Sequence, residues 1–100
     1  MVQATTPTYI LTLPDTLDLS GITNMYFSLE QGNTRLRKAG NELSVDGNVV
    51  SVYLTQEDTL QFNRGRAELQ LNWTYPDGRR ACSNIVTVPV DPNLIKEVIE

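Results

Sequence analysis

The chain has 100 residues, with eight Lys plus Arg against twelve Asp plus Glu, a formal charge of −4, one Cys and no His. That length suits one domain, and the acidic balance argues against a nucleic-acid-binding face, because neutralising phosphates needs a basic stripe. The absence of His removes the commonest general base and metal ligand, and a lone Cys excludes an internal disulfide or a Cys-rich zinc site, so composition speaks against an enzyme and against a bound cofactor or metal. Along the chain, Met1–Pro7 is polar and has neither the charged start nor the apolar run of a signal peptide. No apolar stretch approaches the roughly 18–20 residues that cross a bilayer. The expectation is a water-soluble chain made in the cytoplasm, with no membrane partner and no cystine staple.

Thr, Val and Ile are abundant and Ala is scarce. β-branched side chains suit a pleated surface and lose rotamer freedom in a helix. The first apolar alternation places Tyr9, Leu11 and Leu13 on a core face and leaves Ile10 half covered. A second run sets Met25, Phe27 and Leu29 against Tyr26, Ser28 and Glu30. It spans 22–30 and turns at Gln31-Gly32-Asn33 into a strand over 34–38. A strand over 42–45 turns at Asp46-Gly47-Asn48 into 49–54, where Val50, Val52 and Leu54 alternate with Ser51, Tyr53 and Thr55. Asp-Gly favours positive φ, which matches the twist of a tight hairpin. Thr55-Gln-Glu-Asp58 puts a hydroxyl three residues before a carboxylate. That predicts a capping box and one helical turn, with Leu60 and Phe62 carried back onto the core.

The longest alternation is Ala67, Leu69, Leu71, Trp73 and Tyr75 against Glu68, Gln70, Asn72 and Thr74. Period 2 over nine residues marks a strand with one buried and one wet face, and it places Trp73 at mid-core. This strand, 66–75, turns at Pro76-Asp77-Gly78 into 79–88. There Ala81 and Ser83 share one parity while Val86 and Val88 read as buried, which predicts a bulge near Ser83-Asn84. After Asp91-Pro92, a good N-cap and N1 pair, Leu94, Ile95, Val98 and Ile99 share one face of a short helix; an extended arm is the alternative. Short strands with turns at even intervals predict an all-β sandwich or barrel.

Candidate sites are few. Asp15 with Asp18, and Glu57 with Asp58, read as solvated loop or cap carboxylates, since neither the pocket of a general acid nor a calcium loop surrounds them. Without His to activate it, Cys82 reads as a buried strand cysteine. Arg35-Leu-Arg37-Lys38, Arg64-Gly-Arg66 and Arg79-Arg80 read as edge and turn charges that keep strands from pairing with neighbours. Asn72-Trp73-Thr74 matches the glycosylation triplet by chance inside a strand. The apolar residues Leu94, Ile95, Val98 and Ile99 are the candidate assembly contacts, the alternative being packing on their own sandwich.

Several stretches carry a resemblance. Thr5-Thr-Pro-Thr-Tyr-Ile-Leu-Thr-Leu-Pro14, Met25-Tyr-Phe-Ser-Leu-Glu-Gln-Gly32, Leu54-Thr-Gln-Glu-Asp-Thr-Leu-Gln-Phe62, Glu68-Leu-Gln-Leu71, Asp77-Gly78 and Ser83-Asn-Ile-Val-Thr-Val-Pro-Val90 occur in this order. Over 5–99 the chain resembles short proteins of phages and prophages of Gram-positive bacteria, similar to the immunoglobulin-like N-terminal module of phage baseplate upper proteins. The stretch 54–62 is its most specific part. The resemblance implies an Ig-like antiparallel β-sandwich of about seven strands filling residues 1–100, with 1–7 and 91–100 as terminal arms. It also implies a non-enzymatic virion component, made in the host bacterial cytoplasm. That component sits in the tail, the baseplate or the head and acts through other virion proteins or self-association, with no cofactor and no small-molecule substrate. An alternative from another class is a carbohydrate-binding or host-adhesion module using the outward Tyr26 and Tyr53. A small inhibitor protein is a third reading.

Overall fold

Strands that bury only one face are satisfied by stacking two sheets with those faces inward. A computed structural model of the chain, describing residues 1–17, 19 and 21–100, has this arrangement. The strands are β1 (Thr8–Thr12), β2 (Asn24–Gln31), β3 (Thr34–Ala39), β4 (Leu43–Asp46), β5 (Val49–Tyr53), β6 (Gly65–Thr74), β7 (Arg80–Cys82) and β8 (Val86–Val90). A 3-10 turn at Gly40–Glu42 joins β3 to β4, and one helix, α1 (Gln56–Leu60), follows β5. One sheet runs β1-β5-β4; the other runs β3-β2-β6, with β7 and β8 both pairing with β6. All these pairs are antiparallel. With β1 taken as the strand conventionally called B, the sheets read B-E-D and C′-C-F-G, the strand order of an immunoglobulin-type sandwich without its A strand.

The predicted hairpins form because their turns hold the right residues. Gly32 and Gly47 have φ of 56° and 61° and occupy the first central position of two-residue turns closed by Gln31↔Thr34 and Asp46↔Val49. Positive φ at that position gives the twist that two-residue hairpins need. The predicted capping box is present: Asp58 N donates to Thr55 Oγ1 at 3.1 Å, and Thr55 N donates to Asp58 Oδ2 at 2.9 Å. The core is the predicted inward set, Met25, Phe27 and Leu29 from β2, Val50 and Val52 from β5, Ala67, Leu69, Leu71 and Trp73 from β6, with Leu54 and Phe62 beside α1; Leu60, expected with Phe62, is only half-buried and stays out of it. Trp73 is buried at the centre, and its indole N–H donates to the Tyr75 hydroxyl at 3.1 Å.

The predicted bulge is also present. Asn72 faces Cys82 and Leu69 faces Val86, so residues 70 and 71 stand opposite 83, 84 and 85. Ser83 fills the gap: its N–H donates to Leu71 O, its hydroxyl accepts from Leu71 N, and its carbonyl accepts from the Gln70 amide. The extra residue switches the inward parity from Ala81 to Val88 and Val90.

Three expectations change, and one that was open is decided. Cys82 is exposed, not buried, because Ala81 holds the inward parity before the bulge. Val86 has inward parity but is exposed, because β1 does not reach far enough to cover it. On the inner face of edge strand β1, Tyr9 and Leu11 are only half-buried, whereas Ile10 points outward and is 67% exposed. Of the two readings of the tail after Asp91, helix or arm, the structure has the arm, an irregular one. A turn of helix adds little until its apolar face is covered, and none of the four apolar tail residues is buried here.

Candidate interaction surfaces

The resemblance implies two terminal arms, 1–7 and 91–100, and the fold treats them differently. Residues 1–7 are docked, not free. Val2 pairs in parallel with Asp91; Asp91 N donates to Met1 O at 2.7 Å, Gln3 N to Asp91 O at 2.9 Å, and the N-terminal ammonium to Pro89 O at 2.7 Å. Gln3 is buried and its amide donates to Phe62 O. The segment therefore covers the outer edge of β8 and the end of the core.

The tail carries the four candidate assembly residues. Leu94 is fully exposed, and Ile95, Val98 and Ile99 are about half exposed. What holds the tail is polar. The Gln56 side-chain amide donates to Ile99 O and accepts from Ile99 N, both at 2.9 Å, and Asn93 Nδ2 donates to Gln3 O at 3.1 Å. Gln56 therefore acts as a one-residue substitute for a strand partner, and it leaves the apolar side chains outside. Its role was not visible in the sequence, where it is simply the residue after the Thr55 cap.

A third surface lies on the outer face of the five-stranded sheet. Tyr26 stands opposite Asn72 and Ser28 opposite Gln70, with Arg37 of β3 opposite Ser28 and Arg80 of β7 opposite Thr74. Small polar side chains form the floor and long ones the walls, which makes a shallow depression of about 260 Å³ lined by Tyr26, Ser28, Arg37, Asn72, Thr74 and Arg80. It continues past Glu30 and Glu68. Arg80 donates from Nη2 and Nε to Asn72 Oδ1 at 3.0 and 3.3 Å, and Arg37 Nε lies 3.4 Å from Ser28 Oγ. Among the described residues, neither guanidinium has a carboxylate within 4.0 Å, whereas Glu30 is taken by Arg35. Each guanidinium keeps unused donors, which suit a carboxylate or the hydroxyls of a sugar. Of the two tyrosines proposed for stacking, Tyr26 lines this depression; Tyr53 projects from β5 in the other sheet. The outward parity of Tyr26, Ser28, Asn72 and Thr74 was legible from the alternation, but the approach of Arg37 and Arg80 needed the strand order.

The remaining candidates are structural. Asp58 is buried rather than solvated: besides capping α1, it meets the Lys38 ammonium at 2.8 Å. Lys38 stands opposite Phe27, so it leaves the inward face of edge strand β3 and surfaces at the sandwich rim. Burial on its own would raise the Asp58 pKa, but hydrogen bonds from Lys38 and Thr55 and the lysine charge outweigh it and hold the carboxyl below its usual value. Glu57 is exposed. Asp15 accepts from the Asn48 amide at 3.2 Å, while Asp18 lies outside the described residues. Arg79 caps its own turn. Its amide and guanidinium bond to Asp77, whose pKa falls mainly because of that backbone hydrogen bond, and the guanidinium also lies 4.9 Å from the centre of the Tyr75 ring. Asn72 of the glycosylation triplet sits mid-strand under Arg80. Among the described residues no helix is long and apolar enough to cross a membrane, and no three His, Cys, Asp or Glu side chains gather as a metal site would require. Compared with family models, curated proteins and solved structures, the chain matches none.

Proposed function

We propose that the chain is a non-enzymatic structural or adaptor protein of a phage or prophage particle, working by protein–protein assembly. The observation that carries this reading is the tail: Leu94, Ile95, Val98 and Ile99 are all exposed on a segment held by two side-chain amides. An apolar run kept in water is stabilised when a neighbour covers it, and repetition by symmetry multiplies such weak contacts. The resemblance of the 54–62 stretch to baseplate modules supplies the phage context, and the sandwich supplies the rigid frame. Truncation after Asn93 keeps every backbone contact that docks the N-terminus. The shortened chain is expected to stay folded and to be lost from purified particles. If it still co-purified with them, the reading would fail.

A second reading, a glycan-binding or host-adhesion module, is favoured by the outer-face depression, where an aromatic wall, two guanidiniums and an amide floor meet. Sugar sites combine stacking with such bidentate polar groups. On a glycan array, binding that disappears with Tyr26→Ala and persists with Tyr53→Ala supports this reading. An array without binding removes it.

A further inference from the structure

A β-sheet edge is a row of unmet hydrogen-bonding groups, and proteins that remain monomers block their edges. Three edges of this sandwich carry a block. β3 bears Arg35, Arg37 and Lys38. β4 is four residues long and ends in Asp46. The β7–β8 edge is broken by the bulge, contains Pro89 and is covered at one end by residues 1–3. The fourth edge, β1, has none of these. Its sequence is Thr8-Tyr9-Ile10-Leu11-Thr12, without charge, proline or bulge, and all of its side chains are of strand-forming types except Leu11.

The ladder phase fixes which groups of β1 are unmet. Leu54 N donates to Pro7 O, and Leu13 N donates to Asn48 O. In an antiparallel pair the bonded residues alternate, so 7, 9, 11 and 13 turn their backbone groups to β5. The N–H and C=O of Thr8, Ile10 and Thr12 therefore point outward in the plane of the sheet, and among the described residues no backbone or side-chain group takes them. Beside this edge the sandwich is open. A cleft of about 420 Å³ separates β1 from the β7–β8 edge, its walls formed mainly by Leu11, Leu13, Leu17, Leu71, Trp73 and Val86. The half-buried Leu11 and the exposed, inward-parity Val86 both line it.

We infer that β1 is a pairing edge whose occupant is β1 of a second copy, joined antiparallel about a twofold axis at Ile10. The strand is close to a palindrome, and that argues for self-pairing. In this register Thr8 meets Thr12 of the other copy on the outer face, Ile10 meets Ile10, and Tyr9 meets Leu11 on the inner face. Thr–Thr pairs are favourable cross-strand neighbours, and the Ile10–Ile10 and Tyr9–Leu11 pairs take apolar surface from water. With no charge on β1, two copies each carrying −4 come together without like charges in the seam. The axis stands perpendicular to the sheet, so both clefts open to the same side and each copy's inner-face residues extend over the other's opening. The two three-stranded sheets become one continuous sheet in the order β4-β5-β1-β1-β5-β4. This inference rests on backbone geometry and not on the virion reading.

Sedimentation velocity of the full chain over a micromolar-to-millimolar series tests it. The chain is expected to form a dimer as concentration rises, with slowed amide exchange at Thr8, Ile10 and Thr12. Ile10→Pro deletes an N–H that faces only the free edge, so the β1–β5 ladder is kept. It is expected to weaken the dimer by about tenfold or more while circular dichroism is unchanged. Ile10→Lys, which guards the edge by charge and keeps the N–H, is expected to do the same and decides the matter if the proline variant misfolds. A chain that stays monomeric throughout, or a dimer that survives Ile10→Lys, overturns the inference. Loss of particle incorporation on tail truncation is a separate readout, so a monomer that still enters particles sinks this inference and leaves the assembly reading standing.

Discussion

The two ends of the chain are of similar length, and the first has fewer large apolar side chains, yet it is the first that belongs to the fold. Residues 1–3 bond through their backbone to Pro89 and Asp91, and Gln3 is buried against Phe62. The tail has its apolar side chains outside and depends on Gln56 and Asn93. Helix α1 lies between them and touches both: Thr59 Oγ1 donates to Thr5 O at 2.9 Å, and Gln56 clamps Ile99. Backbone pairing along a sheet edge buries an arm, whereas side-chain clamps alone hold one in reach of solvent. An end of the second kind is the one available to a partner.

Deleting residues 1–3 breaks this contrast most strongly. It removes the edge bonds on β8 and uncovers Phe62 and Val90, and the expected cost is about 3 kcal/mol in urea unfolding, at roughly 1 kcal/mol per hydrogen bond plus lost apolar burial. Asp58→Ala comes next. It strips the cap of α1 and leaves the Lys38 ammonium at the sandwich rim without its nearest carboxylate, an expected loss of about 2 kcal/mol measured the same way. Asp58 also gives a pH signature. Its folded pKa lies below the unfolded value of about 3.9, so its contribution is complete above that value and is lost as pH falls through the lower folded one. Asp58→Asn should flatten the stability profile below about pH 4. Truncation after Asn93 should change the unfolding free energy by less than about 0.5 kcal/mol, since it uncovers little core. Gln56→Ala should leave global stability within that same range of about 0.5 kcal/mol while hastening proteolysis after Lys96. If the truncated chain proved as unstable as the one lacking residues 1–3, the tail would be part of the fold and the contrast would disappear.

Much of the sandwich was readable in advance because its signals are local. The alternation from Ala67 to Trp73 commits a face wherever the strand is placed, and Gly32 and Gly47 bend the chain without reference to distant residues. Thr55 and Asp58 cap α1 within four residues. The bulge could be read as well, from a slip in parity. The candidate surfaces were less legible. Tyr26 was placed correctly on an outer face, but Arg37 and Arg80 join it only because β3 and β7 flank β2 and β6. Cys82 departs from its reading because Ala81 holds the inward parity ahead of the bulge, and Val86 because no strand covers the inner face at this edge.

By itself, then, the order of residues set the strand faces, the tight turns, the helix cap and the identity of the core, all of which are short-range steric and hydrophobic preferences. Tertiary structure alone decided that β1 keeps a bare edge beside an open cleft, that Lys38 meets Asp58 across the rim, and that the front of the chain is stitched down while its rear stays in water. Those outcomes depend on which strands become neighbours. That choice is settled by the total burial of two sheets, and no short window of sequence contains it.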